Sequence, residues 1–239
     1  MKIRKHSIAM LAAAAATLIM TTPAHALPLF NGNFELPSLG GGYVNYADGS
    51  TAIPGWTVVD LNVVKDEGVS IVTNSVFGAL GVVSHEGNQF VDLTGVYGQG
   101  KGLVSDAVAT TIGATYKLSF ALGEFWVAGS GSFGEAAVNL TINGVSQQDF
   151  FNPVTLIAAG SDWQIQTYDF VANSTSTRFQ ITNLIGSAYS DAGTGLDSVS
   201  LDLVQGHPSA VPEPETYALV LMGLGVMGAM TRRRKQTPV

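Results

Sequence analysis

Apolar and polar side chains alternate along much of this chain. Tyr116, Leu118, Phe120 and Leu122 alternate with Lys117, Ser119, Ala121 and Gly123, and Val138, Leu140 and Ile142 with Ala137, Asn139 and Thr141. Phe179 and Ile181 alternate with Arg178, Gln180 and Thr182, and Val199, Leu201 and Leu203 with Ser198, Ser200 and Asp202. A period of two puts successive side chains on opposite faces, so each run reads as a strand with one face toward a core. Further strands are predicted near 56–64, 69–73, 88–93, 103–110 and 163–171. Asn143-Gly144, between Ile142 and Val145, is a two-residue hairpin turn whose residues tolerate positive φ. No long segment has a 3.6-residue period, and no repeat or second domain is visible. About nine short strands with Gly- and Asn-rich punctuation predict an all-β fold, an antiparallel sandwich.

The two ends follow other patterns. Lys2, Arg4 and Lys5 precede an apolar run from Ile8 to Met20, and Ala24-His25-Ala26 puts small residues at −3 and −1 of a cleavage site. Those three parts predict a signal peptide over 1–26, cut after Ala26, with Ala24 and Ala26 as the cleavage determinants. A linker and tail occupy 206–239, leaving 27–205 as the sandwich. The tail holds Val211-Pro212-Glu213-Pro214, an apolar run from Tyr217 to Met230, and Arg232-Arg233-Arg234-Lys235. Proline keeps the spacer extended and open to a processing enzyme. A helix from Thr216 to Thr231 would be about 24 Å long against a hydrocarbon core of about 30 Å, a marginal span of the inner membrane. The basic cluster keeps the C-terminus cytoplasmic.

That tail resembles the PEP-CTERM sorting signal of Gram-negative bacteria with exosortase systems. Its sorting residues would be Val211, Pro212, Glu213, Pro214, Arg232, Arg233 and Arg234. The resemblance implies export through the inner membrane, transient anchoring by the C-terminal helix, and processing by an exosortase-type enzyme. The destination would be the cell surface or the extracellular exopolysaccharide of a diderm bacterium.

Charge and cysteine content narrow the function. The chain has 11 basic and 18 acidic residues, a formal charge of −7. Residues 27–210 retain only Lys65, Lys101, Lys117 and Arg178 against sixteen acids, a net of −12. So acidic a domain repels phosphate backbones, which excludes nucleic acid as a partner. The absence of cysteine excludes a disulfide framework, thiolate chemistry and Cys-ligated zinc.

Within the domain six short signatures occur in order. They are Asn31-Gly32-Asn33-Phe34-Glu35-Leu36-Pro37, Ile53-Pro54-Gly55-Trp56, Glu86 to Leu93, Gly113 to Phe120, Trp163-Gln164, and Gly195-Leu196-Asp197-Ser198-Val199-Ser200-Leu201. The series resembles the galactose-binding-domain-like jelly roll of carbohydrate-binding modules and related plant cell-wall domains. This resemblance implies a jelly-roll β-sandwich and a structural calcium joining the first and last strands, with Glu35 and Asp197 as its carboxylates. Calcium takes six to eight oxygens. Ser198 stands where family members often carry a second acid, which removes one carboxylate.

A sugar site needs aromatic faces and polar groups for the hydroxyls. Trp56 and Trp163 read as core residues, whereas Trp126 and Tyr97 adjoin Gly-rich loops and are the ligand-binding candidates. Gly129-x-Gly131-x-x-Gly134 matches a dinucleotide fingerprint but is followed by strand alternation rather than a helix. His85 is the sole histidine in the domain and no Gly-x-Ser-x-Gly accompanies it, so no catalytic residue is assigned. Glu86, Asp92, Glu124 and Glu135 are the acids from which a glycosidase pair would be drawn. The expectation is an exported, non-catalytic protein that binds polysaccharide or matrix. Two other readings stay open: a self-associating structural matrix protein without a glycan site, and a polysaccharide hydrolase.

Overall fold

The computed structural model describes residues 29–61, 68–95, 99–127, 135–154, 156–185, 192–205, 221–224 and 226–227. Thirteen strands lie among them: β1 (Tyr43–Tyr46), β2 (Trp56–Asp60), β3 (Val69–Thr73), β4 (Gln89–Asp92), β5 (Lys101–Ser105), β6 (Val108–Ala109), β7 (Thr115–Trp126), β8 (Ala136–Ile142), β9 (Val145–Asn152), β10 (Gly160–Val171), β11 (Ser176–Thr177), β12 (Phe179–Asn183) and β13 (Ala192–Gln205). One helical turn, α1 (Asn74–Phe77), and a 3₁₀ turn (Gly78–Leu80) follow β3.

The strands form a six-stranded sheet, ordered β1-β3-β4-β13-β7-β10, and a five-stranded sheet, ordered β2-β5-β12-β8-β9. Short β6 and β11 pair separately. Every recorded pairing is antiparallel. The expected antiparallel sandwich is therefore the fold. Its core lies where the alternation placed it: Leu118, Phe120 and Leu122 of β7 meet Leu103, Leu140 and Ile181 of the other sheet, all fully buried. Asn143 and Gly144, at φ 48° and 80°, make the β8–β9 turn, and both positive angles match the right-handed twist of the strands they join.

The chain opens beside its last strand. Val199 N–H of β13 donates to Gly32 O at 2.8 Å, and Phe34 is buried against Trp56 with ring centroids 5.3 Å apart. Trp56 adds a hydrogen bond from Nε1 to Asn31 O at 3.2 Å.

A second, smaller cluster sits on the outer face of the six-stranded sheet. Val72, Val82, Phe90 and Phe125 are buried there with Trp163 packed against them, under the segment from Asn74 to Asn88. Trp163 lies over two glycines of neighbouring strands, Gly123 and Gly195, where an added Cβ would approach the indole to 2.6 Å and 2.7 Å. Its Nε1–H donates to Val83 O at 2.8 Å.

Residues 221–224 and 226–227 are helical and fall in the expected apolar tail helix. Among the described residues no helix is long and apolar enough to cross a membrane. The leader with Ala24 and Ala26, the sorting residues 211–214 and 232–234, and Tyr97 lie outside the described residues.

Candidate functional site

Three places gather polar side chains. The first holds the residues expected to bind calcium. Glu35 Oε1 accepts the backbone N–H of Asn88 at 2.7 Å and of Gln89 at 2.9 Å. Asp197, fully buried on β13, accepts Glu86 N–H at Oδ2 (2.9 Å) and Ser198 N–H at Oδ1 (2.7 Å). The two carboxylates thus grip one loop, 85–89, from the opening segment and from the last strand. Gln89 completes the grip, since its Nε2 donates to Phe34 O and Pro37 O and its Oε1 accepts Leu39 N–H.

Ser198 has φ 51°, where β13 bulges against β7, and its Oγ lies 2.8 Å from His85 Nδ1. The same hydroxyl donates to Glu86 Oε2 at 3.2 Å. Burial pushes Asp197 up to about 7, only partly offset by the N–H groups it accepts, and the Glu86 charge pushes the same way. Among the described residues no group of three or more His, Asp or Glu is placed to hold a metal. Glu35 and Asp197 are brought together as clamps on one loop, each accepting backbone N–H groups from it.

The second place is one pole of the sandwich. On six strands the inward residue two positions beyond a buried apolar one is polar and buried: Asp60 after Val58, Lys101 before Leu103, Glu124 after Leu122, Asn152 after Phe150, Asn183 after Ile181 and Thr194 before Leu196. The register sets Asp60 directly opposite Lys101. Asn152 Nδ2 ties the sheets together by donating to Leu122 O and Asp162 O, each at 3.1 Å. This buried polar layer closes one end of the core, and within it Asp60 Oδ2 and Glu124 Oε2 are enclosed without a hydrogen bond of their own.

Nearby on the outer face of β4, burial pushes Asp92 up to about 6, moderated by the Thr94 hydrogen bonds and the Lys101 charge. Trp126, expected as an exposed loop aromatic, continues the inward parity of β7 and is half-buried. Its Nε1 is enclosed with no hydrogen-bond partner. The acids considered for glycoside hydrolysis are dispersed: Glu124 faces between the sheets, Asp92 faces out between core residues Val91 and Leu93, Glu86 sits on the clamped loop, and Glu135 is exposed before β8.

The third place, the outer face of the five-stranded sheet, was not singled out from sequence. Two rows of side chains cross it in register. Asp149, Asn139, Thr182, Gly102 and Val59 make one row, and Ser146, Thr141, Gln180, Val104 and Thr57 the other. Asn139 Nδ2 donates to Ser146 Oγ (2.9 Å) and Asp149 Oδ1 (2.6 Å), and Thr141 Oγ1 donates to Asn139 Oδ1 (3.1 Å). Gln180 Nε2 donates to Thr182 Oγ1 at 3.0 Å. Phe151, nearly half exposed, borders the same face beside Ala137. In a strongly acidic domain these rows carry one charge, Asp149. The signal was the run of Asn, Thr and Gln at the outward positions of β8 and β12.

The PEP-CTERM protein-sorting motif matches residues 210–235. The family described as "Protein of unknown function (DUF642)" matches residues 27–201. No curated protein matches the chain. Among solved structures, a Stig cyclase from Fischerella sp. TAU in complex with an indole compound is 18% identical, with a TM-score of 0.57, over 77% of this chain and 100% of that one. A cyclase from the same organism in complex with 4-(1H-indol-3-yl)butan-2-one is also 18% identical, with a TM-score of 0.56, over 77% of this chain and 100% of its own. The tandem CBM22 domain of Xyn10C from Paenibacillus barcinonensis, at 18% identity over 73% of this chain and 48% of that one, reaches a TM-score of 0.38. At such identities the cyclase likeness is one of fold alone.

Proposed function

Because the chain belongs to the DUF642 family and ends in a PEP-CTERM sorting motif, which implies export and exosortase processing, we propose that it is a non-catalytic extracellular protein that holds neutral polysaccharide at the cell surface or in the matrix. The observation that carries this reading is the outer face of the five-stranded sheet. Its amides and hydroxyls are held in register by one another, and a ligand's hydroxyls would exchange with these mutual hydrogen bonds. Sugars without charge are the class this face suits. The domain's net charge of −12 opposes uronate and sulfate polymers, while a face whose rows carry a single carboxylate imposes little desolvation cost on a neutral ligand. Phe151 supplies an apolar edge for a sugar ring.

The test is affinity electrophoresis of the full chain through gels containing a neutral polysaccharide or a uronate polymer, at physiological salt. The neutral gel is expected to retard the protein and the uronate gel to leave it free. Replacing Asn139 and Gln180 together by alanine is expected to weaken retardation about tenfold, as the loss of two ordinary hydrogen bonds would. Retardation by uronate alone, or an unchanged double variant, would remove this face from the account. We assign no catalytic residue.

A further inference from the structure

The six-stranded sheet ends in an unusual edge. β10 is twelve residues long and pairs with β7 over all twelve with no register shift, whereas the β13–β7 ladder shifts twice. The opposite edge, β1, is four residues long. Among the described residues no strand pairs with the outer side of β10, and no loop backbone hydrogen bond reaches it. Edge strands are normally blunted by lysine, proline, bulges or short length, because unpaired N–H and C=O groups recruit another strand. β10, Gly-Ser-Asp-Trp-Gln-Ile-Gln-Thr-Tyr-Asp-Phe-Val, has none of these devices. One of its two acids, Asp162, already accepts a hydrogen bond from Asn152 Nδ2 at 3.3 Å. The other edge on this flank, β9, is partly covered, since Gln166 Nε2 donates to Phe151 O at 3.1 Å.

The outward residues of β10 are also self-complementary. Ile165 and Val171 are 54% and 62% exposed, and they stand symmetrically about Tyr168. We propose that β10 is a dimerisation edge, pairing antiparallel with β10 of a second copy about a two-fold axis at Tyr168. In that register Ile165 faces Val171 of the second copy, and Thr167 faces its Asp169. Centring the axis on Thr167 would set Ile165 against Asp169, and centring it on Asp169 would oppose two carboxylates. Directly opposed like charges destabilise a strand pair, while an aliphatic pair stabilises it. A closed two-fold contact joins two six-stranded sheets into one and leaves the outer face of each five-stranded sheet outside the new ladder. The pairing is independent of any glycan.

The chain has no cysteine, so single cysteines report the register without background. Full-length Ile165→Cys and Val171→Cys, mixed and oxidised, are expected to give a cross-linked heterodimer. Each variant alone is expected to stay uncross-linked, because two copies of position 165 would lie about 20 Å apart, six residues along a strand. Sedimentation of the untagged wild type at micromolar concentration is expected to give twice the chain mass, and Thr167→Lys the single mass with unchanged circular dichroism. A wild type of single mass, a mixture with no more cross-link than its components, or a mass that grows without limit as concentration rises would each overturn the pairing. If Thr167→Lys fails to fold, the cysteine mixture decides alone.

Discussion

Replacing Trp163 by alanine is expected to cost about 2–3 kcal/mol of stability, less than a fully buried ring because it is only partly covered. The indole spans two strands by resting on Gly123 and Gly195, and it contacts Phe90 edge-on with ring centroids 5.5 Å apart. Its N–H holds Val83 O, so the ring fastens the excursion 74–88 onto the sheet. His85, which leans against the same indole at 6.2 Å, belongs to the loop that Asp197 and Glu35 grip. Removing the ring leaves two bare glycines under the excursion. For a domain of this size the loss corresponds to a fall in Tm of roughly 2–4 °C per kcal/mol. Gly123→Ala should destabilise from the other direction, by forcing a methyl into the indole. Guanidinium melts of both variants decide the matter, and a cost below about 1 kcal/mol for Trp163→Ala would show that the excursion holds on without it.

The second large effect is on pH. Asp197 is raised from 3.8 to about 7 by burial, and Asp92 from 3.8 to about 6. A carboxyl whose folded value lies above its unfolded one binds its proton more tightly in the native state. Its contribution is complete below about pH 4 and is lost as pH climbs through the folded value. The protein should therefore lose stability between about pH 4 and pH 7, by an amount on the order of 4 kcal/mol from Asp197 alone. The charged group facing Asp197 is Glu86, whose charge adds to the shift, while the backbone N–H groups of His85, Glu86 and Ser198 oppose it. Asp197→Asn should flatten much of the slope between about pH 4 and pH 7 while lowering Tm, because its amide N–H₂ would face an N–H donor. Calorimetry across this range provides the check. A Tm that rises from about pH 4 to pH 7 contradicts the assignment. Repeating the profile with calcium tests the cation expected from sequence: an abolished slope would place it at Asp197, and an unchanged slope would leave that carboxylate to its N–H donors alone.

Much of this architecture was legible because half-buried strands write a period of two. β7, β8, β12 and β13 appear where the alternation put them, and Asn143-Gly144 turns as its φ tolerance requires. β9 was missed because six of its eight residues are exposed, which erases the period. The expected strand 103–110 divides into β5 and β6 around Asp106-Ala107, and 56–64 stops as a strand at Asp60. Glu35 and Asp197 were found through short signatures and do converge on one loop. The closing layer of Asp60, Lys101 and Glu124 escaped notice because charged residues at strand ends read as solvent-facing. Only burial reveals that they continue the inward parity. Trp126 carries the same lesson, since counting in twos from Tyr116 points it inward.

β13 bears on how this protein withstands load. It is the last strand of the domain, yet it lies in the interior of its sheet, paired with β7 at eleven register positions and with β4 on its other side. A pull on the chain beyond Gln205 runs along the strand, so its ladder bonds are strained together in shear instead of opening one at a time. Had the chain ended on β10, the same tension could peel an outer strand away. Forced unfolding is governed by the barrier to the first rupture. Placing the final strand in mid-sheet means that tension entering the domain from its C-terminal side meets a ladder loaded in shear.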